Sequence, residues 1–204
     1  MALTKLNFGG NQQSLVAANI PTITDTQMPS KSILQTIHST DGTAATFTSV
    51  NGATPATVIS GSITPSATNS KILIFGFICI GGLYSSFSGR YDYIGVRLKR
   101  GSTVIGEPTS LSSLTTVHGA DATGSRPMHS VVKDAGYSAS RSAAIPFHFV
   151  DLPSTTSAIT YNIQGVVSTT GGAKTMIRNG SGYNYNNEEA HMATCNLTLQ
   201  EIKG

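Results

Sequence analysis

Residues Lys71–Ile80, KILIFGFICI, form a nearly continuous apolar run that stops at Gly81-Gly82. The nine residues from Ile72 to Ile80 are too few to cross a bilayer, which takes about 20 in a helix. Ile and Phe dominate the run. A short apolar stretch of that kind, bounded by turn residues, reads as a strand buried on both faces.

The flanking sequence continues in β periodicity. Ile33–Ser39 alternates, with Ile33, Gln35 and Ile37 set against Leu34, Thr36 and His38. Short runs follow at 45–50 and 57–63, the second closed by the turn Thr64-Pro65-Ser66. Tyr91–Arg100 sends Ile94, Val96 and Leu98 one way and Arg97 and Lys99 the other. Gly101-Ser102 fits a two-residue type II′ turn, whose register puts Leu98 opposite Ile105 and Lys99 opposite Val104. Residues 107–143 are a long irregular region of Ser, Thr, Gly and His, with short strands expected at 114–117 and 130–132. Further strands are expected at 145–152, 158–167, 174–178 and 194–202. Along the last of these Cys195, Leu197 and Leu199 face in, while Thr194, Asn196, Thr198 and Gln200 face out.

Composition agrees with a chain of many strands and turns. Ser and Thr number 51 of 204 residues and glycine adds 21, which suits β-structure. Charged residues are 11%, against about 25% in ordinary globular chains. That is too few for a coiled coil, and the β-branched content argues against disorder. The expected fold class is all-β: a jelly-roll-like antiparallel β-sandwich over residues 31–204, preceded by an extended N-terminal arm over residues 1–30. The arm has no sustained period, but Leu3, Leu6, Phe8, Leu15, Val16 and Ile20 could bury on a partner, so it reads as an anchoring element.

The net charge of +3 is scattered, whereas nucleic-acid binders concentrate their basic residues on one stripe; no nucleic-acid partner is expected. Cys79 and Cys195 lie in apolar or alternating runs and read as two buried thiols. The first residues lack the apolar core of a signal peptide, so the chain reads as a soluble protein made in a cytosol, with no membrane span.

Sites of chemistry are sparse. No nucleophile elbow, phosphate loop, dinucleotide fingerprint or HExxH helix occurs. Of the ten carboxylates, Asp41, Asp92, Asp121, Asp134 and Asp151 read as turn and cap residues, and the adjacent Glu188-Glu189 would face opposite ways on a strand. His118, Asp121 and His129 share the long irregular region, but their spacing matches no metal signature; no metal or other cofactor is expected. His148, between Phe147 and Phe149, reads as a surface or interface residue. The segment 179–187, NGSGYNYNN, carries Tyr183, Asn184, Tyr185 and Asn186. Its rings could stack on a sugar while the amides exchange hydrogen bonds with it; the alternative is a polar turn or short hairpin.

Four phrases, SITPSATNSKILI, YIGVRLKRGSTVIG, FVDLPSTTSAITYNIQ and the closing LTLQEIKG, resemble a family of small structural proteins of tailed phages, marine and cyanobacterial ones above all. They cover roughly residues 58–105 and 145–203. The resemblance implies a non-catalytic virion protein assembled in the host cytoplasm. Its role would be that of a tail-fibre or appendage component, attached to other virion proteins through its arm, forming a homotrimer and touching a host cell-surface glycan. A head-decoration protein is the alternative within the virion. A glycan-degrading spike enzyme is the alternative outside structural roles; it would need paired carboxylates in a long repeat fold.

Overall fold

The structure, a computed structural model, describes residues 24–25, 27–50, 54–82, 93–106, 130–133, 142–167, 174–180 and 193–204. Among them are eleven strands and no helix: β1 (Ile33–Asp41), β2 (Ala45–Val50), β3 (Ala56–Ile63), β4 (Lys71–Gly82), β5 (Tyr93–Arg100), β6 (Thr103–Ile105), β7 (Ser130–Lys133), β8 (Ser142–Asp151), β9 (Ile159–Val167), β10 (Lys174–Arg178) and β11 (Cys195–Ile202).

The pairings reduce these eleven to eight positions. β11 and β10 lie end to end along one edge of β4, against Lys71–Phe77 and Ile80–Gly82, while β8 holds the other edge over Ile72–Gly81. β1 pairs β11 and β2 pairs β10, so β1 and β2 form one outer position. In the second sheet β3 pairs β9 and β9 pairs β5. β9 occupies one edge of β5, so β6 and β7 share the other as two pieces of one position. Every pairing is antiparallel. Numbered in chain order, positions one, eight, three and six form the first sheet and positions two, seven, four and five the second. That alternation of two four-position sheets is the jelly roll. The β5–β6 hairpin has the expected register, Leu98 with Ile105 and Lys99 with Val104. Of its two turn residues only Gly101 has positive φ, at 57°, as type II′ requires.

The core lies between the sheets. From the first come Ile72, Ile74, Ile78 and Ile80 of β4, Ile145 and Phe147 of β8, Met176 of β10, and Cys195, Leu197 and Leu199 of β11. From the second come Ile59 and Ile63 of β3, Ile94, Val96 and Leu98 of β5, and Ile159, Tyr161 and Ile163 of β9. Alternation along each strand puts these side chains on one face. Two glycines set the local spacing. A Cβ on Gly165 would strike the sulfur of Met176 across the sandwich, and one on Gly76, at φ 155°, would strike the Asn196 carbonyl on β11.

The structure corrects the reading of 71–80 as a strand buried on both faces. Its inward residues are fully buried, but Leu73, Phe75 and Phe77 on the outer face are only half-buried. The sequence pattern could not show this, because both faces of β4 are apolar and only one meets the opposing sheet. The strand expected at 114–117 lies outside the described residues.

Candidate functional site

Three buried polar clusters interrupt the apolar core. The first centres on Glu201, which the strict alternation of β11 turns inward and which is fully buried. One of its carboxylate oxygens accepts hydrogen bonds from the Ser66 amide at 2.7 Å, the Ser66 hydroxyl at 2.7 Å and the Ser70 hydroxyl at 2.6 Å. The other accepts from Gln35 Nε2 at 2.6 Å. Burial alone would raise the pKa of this carboxyl, but the hydrogen bonds from Ser70, Gln35 and Ser66 outweigh it and hold the pKa below the ordinary glutamate value. The cluster ties the β3–β4 turn and the start of β1 to the end of β11.

The second cluster crosses the sandwich. Asp151 ends β8 in the first sheet, while Arg100 ends β5 and Tyr161 lies on β9 in the second. Arg100 Nη1 donates to both Asp151 oxygens at 3.1 Å, and the Tyr161 hydroxyl donates to Asp151 Oδ2 at 2.7 Å. Burial, then the hydrogen bond and the negative charge of Asp151, push the Tyr161 pKa up, so the phenol stays a donor.

The third cluster sits at the opposite end, where β10 gives way to β11. Asn179 takes φ 57° and is fully buried. Its Nδ2 donates to the Asp41 carbonyl at 2.6 Å and the Thr43 carbonyl at 3.1 Å, and its Oδ1 accepts from the Cys195 amide at 3.1 Å. Arg178 pairs with Asp41 at 2.6 Å and donates to the Val58 carbonyl of the second sheet at 2.8 Å. Cys79 and Cys195 are buried free thiols, as expected, and burial pushes the Cys195 pKa up to about 11.

Asp151 and Glu201 both register with Ile72 from its two sides. Their backbones are therefore two strand spacings apart, roughly 10 Å. Carboxyl pairs of inverting glycosidases stand at a comparable roughly 6.5–9.5 Å. Here the fully buried Ile72 stands between them, and each carboxylate oxygen already accepts at least one hydrogen bond from this chain. The arrangement ties β8 and β11 to the elements that supply those donors.

The phrases that carry the resemblance meet in the first two of these clusters. Ser66 and Ser70 come from the phrase SITPSATNSKILI, Arg100 from YIGVRLKRGSTVIG, Asp151 and Tyr161 from FVDLPSTTSAITYNIQ, and Glu201 from LTLQEIKG. Asp151 and Asp41 were expected as turn and cap residues: Asp151 instead holds Arg100, whereas Asp41 caps its turn as expected, accepting from the Thr43 amide at 2.8 Å, and also holds Arg178. Glu201 was not singled out from sequence, and Asn179 entered only as the first residue of the contact segment 179–187, whereas it is fully buried. The inward period of Cys195, Leu197 and Leu199 was the signal for Glu201, since it puts residue 201 on the core face. His148 is exposed on β8, as expected. Tyr183, Asn184, Tyr185 and Asn186, the group His118, Asp121 and His129, the pair Glu188-Glu189, and the arm residues Leu3, Leu6, Phe8, Leu15, Val16 and Ile20 lie outside the described residues. Among the described residues no group of three or more His, Cys, Asp and Glu is placed to hold a metal.

No family model matches the chain, and no curated protein does. Among solved structures it is similar to the infectious bursal disease virus VP2 subviral particle, with 15% identity and a TM-score of 0.38, covering 90% of this chain and 46% of that one. The Gx strain structure of the same virus gives 17% identity and a TM-score of 0.37, covering 90% and 47%. The T=1 particle derived from that virus gives 15% and 0.38, covering 90% and 41%. This chain thus spans less than half the length of the viral chains it resembles.

Proposed function

We propose that this chain is a non-catalytic structural protein of a virus particle, and within that class a tail-fibre or appendage component of a tailed phage. The observation that carries the reading is where the polar side chains of its phrases go. Ser66, Ser70, Arg100, Asp151, Tyr161 and Glu201 are all consumed in holding two sheets and a turn together. A sandwich stapled in that way is a rigid building block, and its described buried carboxylates have their oxygens engaged by the chain itself. Function has to be argued from sites rather than from fold. The support here is the use of these residues together with the phrase resemblance; the jelly roll alone hosts many functions. The trimer is a further part of the proposal, drawn from the resemblance to fibre heads.

Antibody labelling of intact particles tests the finer reading. Label confined to the tail supports the fibre or appendage role. Label spread over the head replaces it with head decoration. Absence from purified particles overturns the virion role altogether.

A further inference from the structure

The outer face of the first sheet carries an apolar stripe that is only partly buried. Its rows follow from the register. Ile33, Ile202 and Lys71 form the end row, with Leu152 just past the end of β8; Thr36, Gln200, Leu73 and Val150 form the next. Phe75 and Phe77 continue the column along β4, beside Thr198 and Asn196. Beyond Ile33 and Ile202 the β1 and β11 half is polar, while the β4 and β8 half is mainly apolar, with Lys71 at its end and His148 opposite Phe75. Ile33 is 51% exposed, Val150 48% and Leu152 61%. Contiguous outward apolar groups of this kind mark a surface that something covers.

The chain enters the domain at the same end. Lys31 donates its amide to the Lys203 carbonyl, the Lys203 amide donates to Ser32, and Lys203 Nζ donates to the Met28 carbonyl. Residues 28–32 are therefore fixed beside the end of β11, next to the row of Ile33. Before them come residues 1–23, with Leu3, Leu6, Phe8, Leu15, Val16 and Ile20. From that entry point the stripe lies about 10 Å across two strands and runs about 20 Å along β4. A stretch of 23 residues reaches up to about 75 Å. Tethering gives such a segment an effective concentration that a free partner rarely matches.

We infer that residues 1–23 dock on the Leu73–Phe75–Phe77 and Val150–Leu152 face of their own chain. The same apolar side chains, expected from sequence to bury on another virion protein, find a matching surface in the molecule that carries them. The stripe is then no longer available to bring copies together. This inference does not depend on the virion role and fails or stands separately from it.

The test is a photo-crosslinking residue, benzoylphenylalanine, placed in the full-length chain at Val150, where exposure leaves room for it. Crosslinked peptides should come from residues 1–23, in material of single-chain mass. A mixture of isotopically light and heavy chains should give no mixed crosslinks. Replacing Leu3, Leu6 and Phe8 together by Ser should abolish the crosslink and raise the fluorescence of an apolar-surface dye. Crosslinks to other segments, mixed light–heavy products, or a crosslink unaffected by the triple substitution would each overturn the inference.

Discussion

At the residue scale the structure turns on a few polar side chains placed where apolar ones are expected. Glu201 is the clearest. Its folded pKa is lowered, so its stabilising contribution is present above the ordinary glutamate value and is lost as pH falls through the folded value. Acid titration of stability should therefore show a loss beginning below about pH 4.5. Glu201→Gln should remove that component and cost roughly 2–3 kcal/mol at neutral pH, because the Ser66 and Ser70 donors then meet an amide. Denaturant melts of both proteins from pH 3 to 7 check this; identical pH profiles would count against it. The raised Cys195 pKa has the opposite sign, favouring the neutral thiol until pH passes the folded value near 11. In native protein at pH 8 both thiols should resist alkylation, and both should react once the chain is unfolded. Mass spectrometry after iodoacetamide treatment reads the difference.

At the element scale, much was legible and the exceptions have physical causes. The β5–β6 hairpin and the faces of β9 and β11 follow from period two and turn chemistry, which are local. The single position formed by β10 and β11 was not legible, because it depends on Asn179 bridging a break beside β4. Nor was the Arg100–Asp151–Tyr161 tie, whose members belong to different sheets. Tyr161→Phe should cost about 1 kcal/mol, since Asp151 keeps its arginine, whereas Arg100→Ala should cost more by leaving a nearly buried carboxylate without its cation. A double-mutant cycle on the two should be non-additive. Backbone approach sets a further contrast. Gly76→Ala meets a backbone carbonyl that cannot move aside, at a φ that alanine avoids, and should cost at least about 3 kcal/mol. Gly165→Ala meets the flexible Met176 side chain and should cost less. Equal losses for the two in urea melts would contradict this account of the spacing.

At the scale of the whole molecule, the described chemistry serves cohesion. Sheets, turn and chain entry are tied by side chains that the resemblance phrases supply from distant parts of the sequence. Purified protein should accordingly leave host envelope polysaccharide intact. Release of oligosaccharide that a single Asp or Glu substitution abolishes would show that an enzyme had been taken for a scaffold. The residues best placed by sequence for a surface contact, Tyr183 to Asn186, lie outside the described residues, and the structural role is argued without them. The most direct measurement of that claim is quantitative mass spectrometry of purified particles, counting copies of this chain against a capsid protein of known number. The account predicts a fixed, reproducible copy number, small for a tail appendage. A chain absent from particles, or present at a trace level that varies between preparations, would contradict it.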